Sequence, residues 1–475
     1  MTAILGGGIA GLSAAFYALE NPKIGPLILF EASDRLGGWI KTEKSKSSAL
    51  FEKGPRTLRI AGLSGKNALQ MIDNLDLTNK IIPIPSTHVS ARSRLIYADK
   101  KLHTLPNSMA SLFKFNSLVD RPLFTVMFND LIAKKGENRD ESIYSFVERR
   151  FGRDIADYLI SPMICGICAG DAKKISVNFL MKTPAEFEQK HRSIGLGLIK
   201  EGLQNIFNSK RNAEQEKKEE ESSEGSAARA TKEKWAIWSL QGGLQQIPEA
   251  LEKKLTSKNV KIRAKTEVRN VTFKPDCVEL EVDGGVQKYE RVIASLSAER
   301  LGRILERQHP QLARELEAIP AVTVAVINFE FPGKVLPMEA FGFLVPPKEK
   351  IPILGVIFDS CVFPQKASTV LTVMMGGAWF DEYFGVNSSQ AHMETVALEQ
   401  LRRILGIKVD PSDSHFQILE NCIPQYIVGH EERLKRIRNY ITAHKMPLIL
   451  CGSSYQGVGL NDVILSAKQA VHDIS

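Results

Sequence analysis

Several clusters in this sequence have the residue types and spacing to do chemistry. The first is Gly6, Gly7, Gly8, Ile9, Ala10 and Gly11, which spells G-x-G-x-x-G between the apolar run Ala3–Leu5 and the helical spacing of Leu12–Leu19. Gly6 suits a tight turn, Gly8 lets backbone approach a pyrophosphate, and Gly11 lets the helix pack closely on a sheet. Unpaired N–H groups and the positive dipole end at that helix start attract phosphate oxygens. Leu27–Phe30 is predicted to be the second strand. Glu31 closes it, twenty residues beyond Gly11, where a carboxylate meets a ribose hydroxyl. A glycine turn holding no nucleotide is the bland alternative. The strand before, the helix after and the acid at that distance weigh against it.

Further candidates follow along the chain. Glu31-Ala-Ser-Asp-Arg35-Leu-Gly37-Gly38-Trp39 is a second glycine turn carrying a cation. Gly54-Pro55-Arg56-Thr57 is a turn that presents an arginine, which on residue type alone is as well placed on the surface. Arg94 opens a predicted hairpin, Arg94–Tyr97 and Leu102–Leu105; a solvated strand end is its ordinary fate. Near the end, Leu448–Leu450 runs into Gly452-Ser453-Ser-Tyr455-Gln-Gly457-Val458-Gly459-Leu460 and a helix. A second helix N-terminus there can carry negative charge on a reduced cofactor ring. No histidine or carboxylate stands out as a general base.

The elements that must position these groups are those of an α/β chain. At 475 residues one core is too few, so two or more domains are expected. With 43% hydrophobic and 24% charged residues the class is globular. The net charge of +8 favours an anionic partner, and no nucleic-acid module accompanies it, so lipid headgroups or a polycarboxylate rank ahead of nucleic acid. The six cysteines are dispersed, which excludes a disulfide framework. The lone C-x-x-C at Cys165 and Cys168 reads as structural, and no metal set is nominated. No secretory signal is visible, and no run reaches the roughly 18 apolar residues of a spanning helix. Met109–Gly136 mixes apolar residues with Lys114, Arg121, Lys134 and Lys135, as core packing or a lipid interface would. Lys210–Lys234 holds seven basic and seven acidic residues, so its charges cancel, and it is expected to be a disordered insertion. Short strands are expected at Val260–Ile262, Lys265–Val271, Cys277–Val282 and Gln287–Ser295. Ala321–Phe331, Phe341–Val345, Ile353–Phe358 and Val370–Gly377 should build an antiparallel-rich second sheet.

GGGIAGL, FEASDRLGGW, FEKGPR, WSLQGGL, NCIPQY and SYQGVGLND occur in that order. The first two resemble FAD-dependent amine oxidases and phytoene desaturases in general. The later four narrow the resemblance, over nearly the whole chain, to the protoporphyrinogen oxidase family. That resemblance implies FAD held by Gly6, Gly7, Gly8, Ile9, Ala10, Gly11, Glu31, Arg35, Trp39, Gly54, Pro55, Arg56, Thr57, Val268, Ser453, Val458, Gly459 and Leu460. It implies a substrate pocket of Arg94, Gly166, Phe341, Gly342, Leu344, Ile357 and Met374. Arg94 is the one residue nominated for the reaction, positioning a propionate by a bidentate contact. Many family members carry a basic residue just before the glycine matched by Gly166; this chain has Cys165, which removes a second charged anchor there.

The implied architecture is a Rossmann-like FAD-binding domain assembled from discontinuous segments (1–89, 235–300 and 430–475), with a mixed-sheet substrate domain (301–429) and a helical membrane-associating domain (90–209). The implied reaction is oxygen-dependent oxidation of protoporphyrinogen IX, releasing hydrogen peroxide. The family is dimeric and sits peripherally on the mitochondrial inner membrane, facing the intermembrane space. Three rivals are weighed against it. An amine oxidase needs an aromatic cage at the flavin, and Tyr455 stands alone in the closing turn. A carotenoid-type desaturase would lack the pattern of Arg94 and Pro106. A non-enzymatic flavin fold would keep the glycines and lose the pocket.

Overall fold

The apolar run after Met1 becomes strand β1 (Thr2–Leu5), the centre of a five-stranded parallel sheet in the computed structural model. The structure describes residues 1–105, 123–136, 140–201, 225–363, 368–385 and 388–474. β1 pairs with β2 (Leu27–Phe30) on one side and Arg291–Ala294 on the other; Lys261–Arg263 and Leu448–Leu450 are the edges. The period-two geometry of a strand divides their side chains between two cores. Ile4, Leu29 and Ile293 face helix α1 (Ile9–Ala18) and the helices Gln246–Ser257 and Leu460–His472. Ala3, Leu5, Ile28, Phe30 and Val292 face the other way, onto Val271 and Leu280 of a three-stranded antiparallel sheet and Leu301, Leu316 and Ile437 of three helices. α1 has no polar stripe because protein covers every side of it; only Ile9, at its start, is not fully buried.

Two expectations for this half are corrected. Within Lys265–Val271 only the end is strand, as part of Asn270–Phe273. Lys265 takes a left-handed backbone (φ 52°), and the amides of Lys265 and Thr266 donate to the carbonyls of Ser33 and Glu31, so the segment hooks onto the end of β2 instead of extending. Gln287–Ser295 is two strands, Gly285–Tyr289 and Arg291–Ala294, because the chain changes sheets at Glu290.

The second sheet has seven strands, in the order Asp413–Pro424, Ala321–Pro332, Ser368–Gly377, Gly355–Ile357, Gly342–Leu344, Leu95–Ala98 and Lys101–Thr104. Its long strands alternate as half-buried strands do. Ala325, Ile327, Phe329 and Phe331 pack under helix Gln390–Leu405, while Val324, Val326 and Met374 face the opposite side. The hairpin, assigned by sequence to the helical domain, belongs to this sheet. Leu95 and Ile96 lie parallel to Phe343 and Leu344, and residues Asp99 and Lys100 turn the hairpin with positive φ.

Helices Ile143–Phe151, Ser161–Cys168 and Lys182–His191 form the third layer. Arg150, fully buried, donates to the carboxylates of Asp130 and Glu188 and fastens this layer together. Of the stretch Met109–Gly136 read as core packing or a lipid interface, the first half (109–122, with Met109, Lys114 and Arg121) lies outside the described residues, as do Pro106 and 202–224. The end of the expected disordered insertion is ordered: Ser226–Lys232 is helix, its Ser226 held by Asp73.

Candidate active site

The geometry starts where β1 ends. The Gly7 amide donates to Glu31 Oε2 at 2.6 Å, and Glu31 Oε1 accepts from the amide and hydroxyl of Ser33. One carboxylate thus holds the first glycine turn and the turn after β2. The Gly37 amide donates to the Gly7 carbonyl at 2.8 Å, setting the second glycine turn beside the first. Arg35, one of the residues that the resemblance gives to FAD, is turned onto the backbone of its own turn. Its guanidinium donates to the carbonyls of Leu36, Gly38 and Ile40, so it shapes the turn from behind.

A cavity of about 2070 Å³ opens in front of these turns and is lined by turns that follow strands of the five-stranded sheet and by strands of the seven-stranded sheet. Its wall takes in Gly8, Ile9, Ala10, Trp39, Gly54, Pro55, Arg56 and Thr57, and from the closing turn Ser453, Val458, Gly459 and Leu460. The same cavity is lined by Arg94, Gly166, Phe341, Gly342, Leu344, Ile357 and Met374. A second space of about 70 Å³ is bounded by Gly6, Glu31 and Val268, and Leu296 and Arg300 line both. Gly7, Gly11 and Arg35 lie behind the wall. A Cβ at Gly11 would sit 1.9 Å from the Gly6 carbonyl oxygen, so this glycine serves the contact between α1 and β1.

A dinucleotide diphosphate fits the residues present. A Cβ placed on Gly8 meets nothing closer than 3.9 Å, so the backbone there stands open to the cavity. No side chain caps α1, and its first turn holds no acid to compete for the exposed amides. Gly342, expected in the substrate pocket, lines the cavity and also answers to a packing constraint. Its φ is 145° and a Cβ would lie 2.1 Å from the Val356 carbonyl oxygen, so the neighbouring strand demands the glycine.

Behind the Gly54–Thr57 turn lies a polar network. Arg56 is ion-paired with Asp359 at 3.2 Å, and Thr372 donates to the other Asp359 oxygen at 2.7 Å. Glu52 accepts from the Leu244 amide and the Thr42 hydroxyl; burial pushes its pKa up to about 7. Burial also raises Asp359, against the pull of Arg56. At the closing turn the Tyr426 hydroxyl donates to the Ser453 carbonyl at 2.5 Å, and its ring stacks on His430 at 4.1 Å. Burial lowers the His430 pKa to about 4, so the imidazole is neutral near pH 7.

Arg94 is open to the cavity, and its guanidinium has no hydrogen-bond or ion-pair partner among the described residues. Burial, then the charge of Arg59, lowers its pKa. Cys165 and Cys168 are buried free thiols, both raised above the usual thiol value by burial, as a structural pair should be. Sequence reasoning missed Arg59, Asp359, Tyr426 and His430. The i, i+4 spacing of Tyr426 and His430 was a usable signal; the other two depend on contacts remote in sequence.

Comparison with known proteins places the chain in a family. The family model for flavin containing amine oxidoreductase matches residues 9–475. A protoporphyrinogen oxidase from Homo sapiens is 34% identical, over 98% of this chain and 96% of that protein. A coproporphyrinogen III oxidase from Bacillus subtilis (strain 168) is 29% identical, over 99% and 97%. A solved structure from Exiguobacterium sp. 255-15 superposes with a TM-score of 0.79 at 23% identity, covering 100% of this chain and 98% of the other.

Proposed function

The chain belongs to the flavin containing amine oxidoreductases and, within them, to the protoporphyrinogen oxidases, and on that premise we propose how its own residues carry out the oxidation of protoporphyrinogen IX to protoporphyrin IX. FAD is the cofactor. The observation that carries the proposal is one continuous cavity joining the open amides at Gly8 to an apolar wall that ends at Arg94.

When bound, the flavin supplies the two-electron redox chemistry, and we take molecular oxygen as final acceptor, with hydrogen peroxide released. The amides at the start of α1 and the bare backbone of Gly8 hold the diphosphate, and Glu31 and Val268 bound the adenosine end. The turns Gly54–Thr57 and Ser453–Leu460 bracket the ring end. Arg56 stiffens the first through Asp359, and Tyr426 stiffens the second through Ser453. Phe341, Leu344, Ile357 and Met374 give a flat, apolar surface that excludes water from the substrate. Gly166 sits with Leu344 Cδ2 where its own side chain would begin, closing one side of that surface. Arg94 holds a propionate and sets which carbon faces the cofactor. A direct assay tests this: purified protein should carry flavin and accelerate the appearance of porphyrin fluorescence from porphyrinogen. Flavin without acceleration contradicts it.

The proposal extends to a homodimer resting on an anionic membrane surface, the mitochondrial inner membrane facing the intermembrane space. In support, the net charge is +8, and Phe128, Leu131 and Ile132 are exposed at 64, 52 and 83%. Leu196, Leu198 and Ile199 are exposed on a segment tied to the same helix by the Gly195 amide and Asp130. No helix among the described residues is long and apolar enough to cross a membrane. Protein that fails to float with anionic vesicles, or runs as a monomer by light scattering, contradicts these parts.

A further inference from the structure

Arg59 has no part in the cofactor contacts assigned above, yet it lines the same cavity as Arg94. It ends the short strand Leu58–Arg59, which pairs with Trp238 and Ile237 of Trp235–Leu240. Its carbonyl accepts from Asn461 Nδ2 at 2.7 Å, which fixes its backbone against the start of the closing helix. Arg94 reaches the cavity from the other sheet, just before strand Leu95–Ala98, and its carbonyl accepts from Leu105. The two cations therefore stand on separately braced backbones.

Neither guanidinium has a hydrogen bond or ion pair among the described residues. Four acids line the cavity, Glu299, Glu420, Glu431 and Asp462, and none of them pairs with either arginine. Glu299 and Glu431 are taken by Arg303 and Lys182. Burial, then the like charge of Arg59, holds the Arg94 pKa below its ordinary value. Two like charges held near one another without a counter-ion weaken the free protein. They are compensated once an anion lies between them. Leu95, Ile96, Leu105, Phe341 and Leu344 line the cavity beside Arg94, so a ligand with an apolar body and more than one anionic point suits this pair of cations.

We propose that Arg59 is a second carboxylate anchor, so that Arg59 and Arg94 together select a flat tetrapyrrole bearing two carboxylates on one edge. This deepens, and rests on, the porphyrinogen oxidation proposed above. Each arginine makes a charge-assisted contact with its own carboxylate, and Arg59 acts by positioning alone.

The test uses the flavin-loaded enzyme and two probes, protoporphyrin IX and its dimethyl ester, with binding read by porphyrin fluorescence quenching and turnover read on the matching porphyrinogens. Arg59→Ala should raise Kd for the diacid, and KM for its porphyrinogen, by about ten-fold while leaving kcat within about two-fold. The ester should bind wild type and Arg59→Ala alike, and Arg59→Lys should recover part of the diacid affinity. Unchanged diacid binding in Arg59→Ala, or equal loss of diacid and ester, overturns the assignment. Should Arg59→Ala fail to retain flavin, Arg59→Gln is judged by the same two outcomes. If the unaltered enzyme oxidises no porphyrinogen, the functional proposal itself fails. Wild-type turnover with an insensitive Arg59 sinks only the second anchor.

Discussion

Arg56 and Asp359 form an ion pair of 3.2 Å across 303 residues of chain, joining the turn before the cavity to the first residue of a short helix in the seven-stranded half. Both side chains are almost wholly covered, at 5 and 13% exposure, so neither charge has water to fall back on. Arg56→Met is expected to destabilise the protein by about 3 kcal/mol, because Asp359 keeps its buried position without a counter-ion. Adding Asp359→Leu should recover part of that loss. Urea denaturation of both single variants and the double variant checks this, and strictly additive losses would remove the pair from the explanation.

Glu52 makes stability fall as pH rises. Its folded pKa is about 7 against an ordinary value of 4.5, so the folded state binds more protons between those limits and loses stability across them, levelling off above about pH 7. His430 works the opposite way: its folded pKa is about 4 against 6.5, so stability rises between those values. The two slopes oppose each other from about pH 4.5 to 6.5, and wild-type curves alone will not separate them. Glu52→Gln does. Relative to wild type it should gain about 2 kcal/mol between pH 5 and pH 8. A constant difference at both pH values rejects the assignment.

Gly8 and Gly11 should fail in different ways. Gly8 faces open space, so Gly8→Ala is expected to fold with an unchanged apoprotein Tm while losing flavin, since the methyl group occupies the approach of the diphosphate. Gly11→Val drives a side chain into the Gly6 carbonyl and should lower the apoprotein Tm itself. Thermal melts with and without added FAD read both. Tight flavin retention in Gly8→Ala would count against the diphosphate position.

Much of this was legible locally and little of it at long range. The first strand, glycine turn and helix were readable because each glycine's task is set by its immediate neighbours. The hairpin at Leu95–Thr104 was readable too, yet its place was not: the parallel pairing of Leu95 with Phe343 crosses most of the chain. Strand Asp413–Pro424 was missed altogether. It lies at the edge of the sheet, and the polar/apolar alternation of His415, Phe416, Gln417 and Ile418 breaks at Leu419 and Glu420, opposite the register shift between Val322 and Val324. Every proposed wall residue except Arg35, Gly7 and Gly11 lines one of the two spaces that share Leu296 and Arg300. The buried polar network behind the wall was invisible because Glu52 and Arg56 come from one stretch of chain and Asp359 and Thr372 from another about 300 residues away.

Arg94 should separate substrate handling from cofactor retention. Arg94→Ala is expected to keep its flavin spectrum and melting temperature, because the guanidinium supports nothing else in the fold, while KM for porphyrinogen rises at least about ten-fold. Parallel loss of flavin and substrate use would contradict an anchoring role.

The most direct measurement is anaerobic mixing of the purified, flavin-loaded enzyme with protoporphyrinogen IX, watching the flavin absorbance and the porphyrin fluorescence together. Bleaching of the flavin in step with the appearance of porphyrin, reversed on admitting air, is the predicted result. A flavin band that persists while porphyrin forms at only the spontaneous rate would show that the cavity joining Gly8 to Arg94 does not bring this substrate to this cofactor.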